Sequence, residues 1–187
     1  MYTIKRVFFL FSILFTTPLF SQTFNVNKAE TVLKVEGTST VRDWSATLND
    51  AALGQAMIEL ANGNIQFQSL KFSFPVHAMV SSEGGTMNKH MWESLKADKN
   101  KNITFELTEF VGFSNGKATV KGNWTMAGKT KVVTLKGMVV PAAGKVTIKG
   151  STEINIIDFD MEPPSLFFGT MNVDPKMTIS YEITFSS

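Results

Sequence analysis

Two histidines and three methionines are the residues of this chain best suited to bind a soft metal ion. His77, Met79, Met87, His90 and Met91 lie close together in the sequence. Imidazole and thioether groups are ligands that Cu(I) accepts, so a copper-handling protein is one alternative. On a helix, however, His90 would lie about 60° around the axis from Met87, at the polar margin of the apolar stripe. The sequence therefore predicts no metal site, and copper handling stays open as a second hypothesis.

The acidic residues offer little for catalysis. Asp158, Asp160 and Glu162 form the one cluster, and they stand beside Pro163–Pro164 in what reads as a solvated turn. The sequence has no Gly-x-Ser-x-Gly elbow, no phosphate-binding loop and no cysteine nucleophile. It therefore predicts a protein that binds a molecule without making or breaking a bond, and no catalytic residue is assigned.

Composition narrows the classes of partner. The chain has 16 Phe and 10 Met but 2 Tyr, which is a large volume of soft apolar side chain. Lysines and acids are interspersed without a basic run, so nothing indicates a nucleic-acid partner. With no cysteine there is no disulfide framework, and the fold must be held by core burial alone.

Most of the chain alternates between apolar and polar residues, which is the mark of half-buried strands. LKFSFPV places Phe72 and Phe74 on one face, and KATVKGNWTM does the same for Trp124 and Met126. Asn115–Gly116 is a strong hairpin signal because both residues tolerate positive φ. Seven or eight long strands joined by tight turns leave exposed edges unless the sheet closes. We therefore expect an all-β, antiparallel up-and-down barrel of about eight strands, with a two-sheet sandwich as the alternative.

One short amphipathic helix interrupts the strands. Residues Met87–Ala97 carry Met87, Met91 and Trp92 on one arc and lysines with a glutamate on the other. Gly84 and Gly85 give the chain conformational freedom just before the helix, and Thr86 is the predicted N-cap. We expect this helix to cover the mouth of the barrel as a lid or plug, with its apolar arc turned inward.

Three segments resemble the YceI-like family of secreted polyisoprenoid-binding proteins. The best match is GNWTMAGKTKVVTLKG, residues 122–137, which resembles the family's Gly-x-Leu-Thr-Ile-x-Gly-x-Thr-Lys hairpin. Ile103-Thr104-Phe105 follows a helix that contains His90, and Asp158–Phe159 follows a predicted strand that ends at Ile156, in the family's order. The resemblance implies an extended lipocalin-like barrel that carries a long apolar molecule.

The chain departs from the family pattern where a head group would be recognised. The family's Arg-Asp-x-His-Leu in the helix reads Met-Asn-Lys-His-Met here, so only His90 is kept. Lys101 replaces a proline, and Ile156 replaces a second basic residue. Because two arginines are missing, we expect the chain to bind a diphosphate head group poorly. Binding of a quinone or a neutral lipid would not be affected.

Strand periodicity alone favours a solid core, whereas the family resemblance implies an apolar tunnel. A cavity-free envelope stress or scaffold protein is accordingly a further alternative. Met suits a tunnel because its flexible, polarisable side chain adapts to a mobile tail. The predicted ligand is an isoprenoid lipid or a quinone, with no other cofactor. The predicted ligand-binding residues are Phe72, Phe74, Met87, His90, Met91, Trp92, Phe105, Leu107, Trp124, Met126, Ile154 and Ile156.

The first 21 residues have the pattern of a secretory signal peptide. Lys5–Arg6 precede an apolar run, Val7–Phe15, and Ser21 is a small residue at the predicted cleavage site. Residues 22–187 are then one barrel domain, and the formal charge falls from +2 to zero because Lys5 and Arg6 leave. We expect a periplasmic or secreted protein of a Gram-negative bacterium without a stable membrane anchor. A homodimer is left open.

Overall fold

A computed structural model describes residues 21–49, 51–61, 63–166 and 171–187. Within these ranges it contains twelve β-strands and one α-helix. The strands are β1 (Ser21–Val26), β2 (Val32–Ser39), β3 (Trp44–Asn49), β4 (Leu53–Ala61), β5 (Asn64–Pro75), β6 (Met79–Ser81), β7 (Asn102–Ser114), β8 (Lys117–Met126), β9 (Lys129–Ala142), β10 (Lys145–Asn155), β11 (Ser165–Leu166) and β12 (Met171–Ser186); the helix is α1 (Gly85–Ser94).

Eight of these strands close into a ring. Their order is β1-β4-β5-β7-β8-β9-β10-β12, and β12 pairs back to β1 through Asn25 with Ser186 and Val26 with Phe185. Every pairing in the ring is antiparallel. Closure removes the exposed edges that an open sheet of this size would present. The predicted antiparallel barrel of about eight strands with one short helix is confirmed, and the two-sheet alternative is wrong.

A three-strand extension grows from β12 and carries the helix. The order there is β12-β2-β3-β6, again antiparallel, and α1 follows β6 and packs beside it. β12 can serve both the ring and the extension because it is the longest strand, with 16 residues. The simple meander inferred from the sequence therefore holds for β7 to β10 but not for the first half of the chain.

Tight turns in the second half follow from the local sequence. Asn115 and Gly116 both have positive φ, at 51° and 74°, and join β7 to β8. Ala127 and Gly128, at 52° and 82°, join β8 to β9 in the same manner. Two consecutive left-handed residues twist the chain in the sense that antiparallel strands require. The hairpin predicted at Asn115–Gly116 is confirmed.

Two predicted boundaries are wrong. The helix begins at Gly85 and ends at Ser94, and Thr86 lies inside it; Gly84, with φ of 87°, takes the N-cap position without a side-chain hydrogen bond. Ile156 is not the end of a strand but the first residue of a 3₁₀ turn, Ile156–Phe159. The Asn155 side chain accepts a hydrogen bond from the Ile157 N–H and so caps this turn.

The predicted signal peptide lies outside the described residues except for Ser21, which begins β1. Its cleavage therefore stays a prediction. Within the described part of the chain, no helix has both the length and the apolar character needed to cross a membrane.

Tyr181 gives the barrel a pH-dependent stability that can be measured. Its hydroxyl donates to the Lys136 carbonyl oxygen at 3.0 Å, and burial raises the pKa of the phenol to about 12. Below pH 10 the phenol is protonated in both folded and unfolded chains. Between pH 10 and 12 only the unfolded chain loses the proton, so the free energy of unfolding should fall by about 2 kcal/mol across that window. Urea unfolding of wild type and Tyr181→Phe at several alkaline pH values measures this, and parallel curves for the two proteins would contradict it.

Candidate functional site

Four aromatic rings cross the middle of the barrel. Phe72 stacks on Phe105 with ring centroids 5.1 Å apart, and the two rings meet Trp124 edge-on at 6.1 and 6.3 Å. Phe74 meets Trp124 at 6.1 Å. All four side chains are buried. We call Phe72, Phe74, Phe105 and Trp124 the aromatic cluster; it fills the barrel at this level as a solid core would.

The aromatic cluster separates two cavities. The upper cavity, beneath α1, has a volume of about 70 Å³, and Phe74 and Trp124 form its floor. The lower cavity, of about 30 Å³, lies beyond Phe72 toward Tyr181 and Phe185. The upper cavity is lined by Leu33, Val35, Trp44, Phe74, Met79, Ser81, Met87, Met91, Ser94, Leu95, Ile103, Trp124, Met126, Ile156, Met161, Pro164, Val173, Met177 and Ile179.

The upper cavity is free of charge and rich in methionine. Among the described residues that line it there is no acidic or basic side chain, and the only hydroxyl groups belong to Ser81 and Ser94. Of the ten methionines of the chain, six stand among the described residues of this lining. They are Met79, Met87, Met91, Met126, Met161 and Met177. Thioether side chains change rotamer at low cost, so this wall can adapt to the shape of an apolar guest.

The structure brings half of the twelve predicted binding residues to the upper cavity. The residues that line it are Phe74, Met87, Met91, Trp124, Met126 and Ile156. Phe105 and Ile154 are buried in the barrel but do not reach this cavity, and Phe72 lines the lower one. Leu107 is half-buried and borders an open groove on the outside of β5 and β7.

Two predicted residues on α1 point elsewhere. His90 is outside the cavity lining, with Nδ1 3.6 Å from a Glu93 carboxylate oxygen and its side chain 35% exposed. Trp92 packs edge-on against the His77 ring at 4.8 Å and donates its indole N–H to the Met79 carbonyl oxygen at 3.2 Å. Trp92 therefore fastens the helix to β6, and the geometry gives His90 no contact with the cavity.

Several residues in the wall of the upper cavity were not predicted from the sequence. Trp44, which is not among the predicted binding residues, begins β3 and lines the upper cavity. Met161 and Pro164 come from the loop after the 3₁₀ turn, which was interpreted as solvated. The alternating pattern of the last strand places Met177 and Ile179 on the same face, so the sequence could have indicated these two residues. No local signal marks Trp44 or Met161, because both reach the cavity through long-range packing.

Few interactions fix the helix over the cavity. The Asn88 side-chain oxygen accepts a hydrogen bond from the Ser81 N–H at 2.6 Å, and Trp92 donates to Met79 as described. Of the helical residues, Met91 and Trp92 pack on the core and none is fully buried. Met87 and Met91 of this helix line the upper cavity. We therefore call α1 the lid.

An open groove lies between the end of the lid and the loop that follows the 3₁₀ turn. It shares Ser94, Met161 and Pro164 with the upper cavity, so it marks the mouth. Asp160, at the groove, lies 2.5 Å from Lys129 Nζ. The hydrogen bond and charge of Lys129 hold the pKa of the Asp160 carboxyl below its usual value. The charged groups of this region thus stand at the rim, outside the apolar cavity.

No group of three or more histidine, aspartate or glutamate side chains in the described ranges is arranged to hold a metal ion. The predicted acidic cluster is not assembled into a site either, since Asp160 is paired with Lys129 and Asp158 is exposed.

Comparison with known proteins decides the family. A family model described as the YceI-like domain matches residues 17–185, which is nearly the whole chain. The chain belongs to the YceI-like family. The resemblance inferred from the hairpin at residues 122–137 is therefore confirmed. No curated protein matches this YceI-like chain.

Solved structures share its fold at low sequence identity. BcnA from Burkholderia cenocepacia has a TM-score of 0.72 and 18% identity, covering 85% of this chain and 98% of its own. A polyisoprenoid-binding domain from Saccharophagus degradans, implicated in plant cell wall breakdown, has a TM-score of 0.66 and 10% identity, covering 88% and 98%. The YCEI protein of Campylobacter jejuni has a TM-score of 0.58 and 16% identity, covering 100% and 98%. These likenesses establish the barrel architecture of the YceI-like chain.

Proposed function

We propose that this YceI-like chain is a non-enzymatic carrier that holds a long apolar molecule, an isoprenoid lipid or a quinone, in the periplasm or outside the cell. The observation that supports this most is the upper cavity, which is apolar, free of charge and walled by methionine. The family and the polyisoprenoid-binding domain among its structural neighbours point to the same class of ligand.

Burial of an apolar tail supplies enough free energy for binding. Each CH₂ group transferred from water contributes about 0.8 kcal/mol, so ten carbons contribute roughly 8 kcal/mol before the cost of association. No ion pair with a head group is needed for this. The proposal therefore does not depend on the two family arginines that are missing from the helix and from position 156.

The upper cavity must enlarge to take such a tail. Its volume of about 70 Å³ is smaller than the roughly 150 Å³ of an apolar site that holds benzene. The lid and the methionine side chains are the parts of the wall that can move, because α1 has few buried contacts and Met is flexible. We infer that the tail enters at the mouth, between the lid and Met161–Pro164, and that the lid moves outward.

Uptake of a defined ligand tests the proposal. Delipidated protein is titrated with a fluorescent prenyl probe and then with unlabelled isoprenoids that compete for the same place. The expected result is saturable one-to-one binding at micromolar concentration or below. Absence of uptake would instead favour a scaffold or stress protein with a closed core. A copper(I) titration in parallel addresses the metal hypothesis, for which tight stoichiometric binding would be required.

The hydrogen bond that holds the lid closed should control the dissociation rate of the bound ligand. In Asn88→Ala the Ser81 N–H loses its acceptor, so the closed lid is destabilised and the dissociation rate of a prenyl probe should rise about tenfold. Stopped-flow transfer of the probe to vesicles measures that rate. Lys89→Ala is the matched control, because Lys89 is the next residue of the lid and its side chain is 74% exposed. Equal rates for the two variants would show that the lid does not gate release.

A further inference from the structure

Methionine carries all the sulfur of this chain, which has ten methionines and no cysteine. Six of the ten line the upper cavity, and two of these six, Met87 and Met91, belong to the lid, four residues apart on α1. Methionine differs from other apolar residues in its chemistry as well as in its flexibility, because its sulfur can be oxidised to a sulfoxide and reduced back. The sulfur atoms of the lid are therefore candidates for reversible modification.

Exposure divides the described methionines into three groups, and an oxidant should reach them in the order of that exposure. Met57 and Met138 lie on the outer surface, 41% and 42% exposed, and neither is among the described residues that line the upper cavity. The methionines that line the cavity and are half-buried are Met87, Met91 and Met177. Those that line it and are fully buried are Met79, Met126 and Met161. The half-buried group can thus be oxidised before the core is reached.

A sulfoxide on the lid does not suit the closed cavity. Its oxygen is a polar hydrogen-bond acceptor, whereas the accessible surface of the upper cavity is apolar and its described lining has no charged side chain. A polar group that is buried without a partner costs free energy. Met87 and Met91 can return an oxidised sulfur to water if the lid turns outward, whereas Met177 is held on β12, which pairs with strands on both sides. Oxidation of the lid should therefore favour its open position.

We propose that Met87 and Met91 form a reversible oxidation site that shifts the lid from closed to open and so releases what the upper cavity holds. With hydrogen peroxide, the sulfur forms a bond to one oxygen atom, the O–O bond breaks and water leaves. The thioether loses two electrons and the peroxide gains them. A methionine sulfoxide reductase reverses the change. The release of a ligand rests on the proposed carrier function, whereas the opening of the lid does not.

The opening of the lid can be measured without any ligand. In the closed lid the Ser81 N–H donates to the Asn88 side-chain oxygen at 2.6 Å, so exchange of the Ser81 amide hydrogen reports the closed position. The protein is treated with increasing peroxide, and the oxidised positions are mapped by peptide mass spectrometry. We expect the exchange rate of Ser81 to rise about tenfold as Met87 and Met91 gain oxygen, and to fall again after treatment with methionine sulfoxide reductases.

Two double variants separate the lid from the surface. Met87→Leu with Met91→Leu keeps the apolar volume and removes the sulfur, so peroxide should leave the Ser81 exchange rate unchanged. Met57→Leu with Met138→Leu removes the two most accessible sulfur atoms described, and this variant should respond as wild type does. A response that persists in the lid variant, or that disappears in the surface variant, would overturn the assignment to Met87 and Met91.

Retention of a fluorescent prenyl probe supplies the second measurement. Its dissociation rate should rise about tenfold in oxidised wild type and stay constant in the Met87→Leu, Met91→Leu variant. If Met87 and Met91 are oxidised while Ser81 exchange and probe release stay unchanged, this inference is wrong and the carrier function stands. If the untreated protein binds no probe, the carrier function fails, and the Ser81 exchange rate alone then decides whether oxidation opens the lid.

Discussion

Met126→Glu should abolish retention of an apolar ligand in a barrel that still folds. Met126 is buried at the end of β8 and lines the upper cavity. A carboxylate there would have to be buried against an apolar guest, with no counter-charge among the described lining residues, which costs several kcal/mol. Since 1.4 kcal/mol is a factor of ten, we expect affinity for a prenyl probe to fall at least about a hundredfold at neutral pH.

The matched control for this variant is Val132→Glu. Val132 lies on the neighbouring strand β9 and is 66% exposed, so the same change there meets water and should leave binding intact. Acid pH gives a further check, because protonating the buried carboxyl removes its charge and should restore part of the affinity. If folded Met126→Glu protein binds the probe as wild type does at pH 7, the upper cavity is not the ligand site.

Gly122→Val should strongly destabilise the ring. A Cβ at position 122 would lie 2.4 Å from a Phe105 ring carbon and 2.5 Å from the Glu106 carbonyl oxygen, closer than atoms can approach. The carbonyl belongs to the paired backbone and cannot move without breaking the β7–β8 ladder. We expect a loss of about 3 kcal/mol in the free energy of unfolding, which is about a 10 °C drop in Tm.

The comparison for Gly122→Val is Gly85→Ala. No atom lies within 4 Å of a Cβ at position 85, the first residue of the lid, so that change should alter stability by no more than about 0.5 kcal/mol. Thermal unfolding followed by circular dichroism compares the two variants. Similar melting temperatures for both would mean that the Phe105 ring does not rest on Gly122, and that the aromatic cluster is packed differently.

The features predictable from sequence are those that local physics determines. Alternation between inward and outward residues predicts strands such as β8, because side chains in a strand have period two. Asn115–Gly116 predicts a hairpin because its dihedral angles are available to those two residues. The helix could be recognised from its amphipathic arc, but its first residue could not, since Gly84 precedes it without a side-chain cap.

The depth of a residue in the barrel could not be predicted. Phe72 and Phe74 have the same orientation in the sequence pattern, yet one lines the lower cavity and the other the upper. Period two fixes which face a side chain takes, and strand register across distant pairings fixes its height. The position of Trp44 in the cavity wall could not be predicted for a related reason. Trp44 reaches the cavity because β2, β3 and β6 extend the sheet from β12.

The carrier function would be tested most directly by native mass spectrometry of the protein isolated from the organism that makes it, followed by organic extraction of what it holds. The account predicts one apolar molecule per chain, released on denaturation and identified as an isoprenoid lipid or a quinone. A protein that carries nothing, and that takes up no isoprenoid or quinone when these are supplied, would contradict it. The methionines and Phe74 of the upper cavity would then be core residues alone.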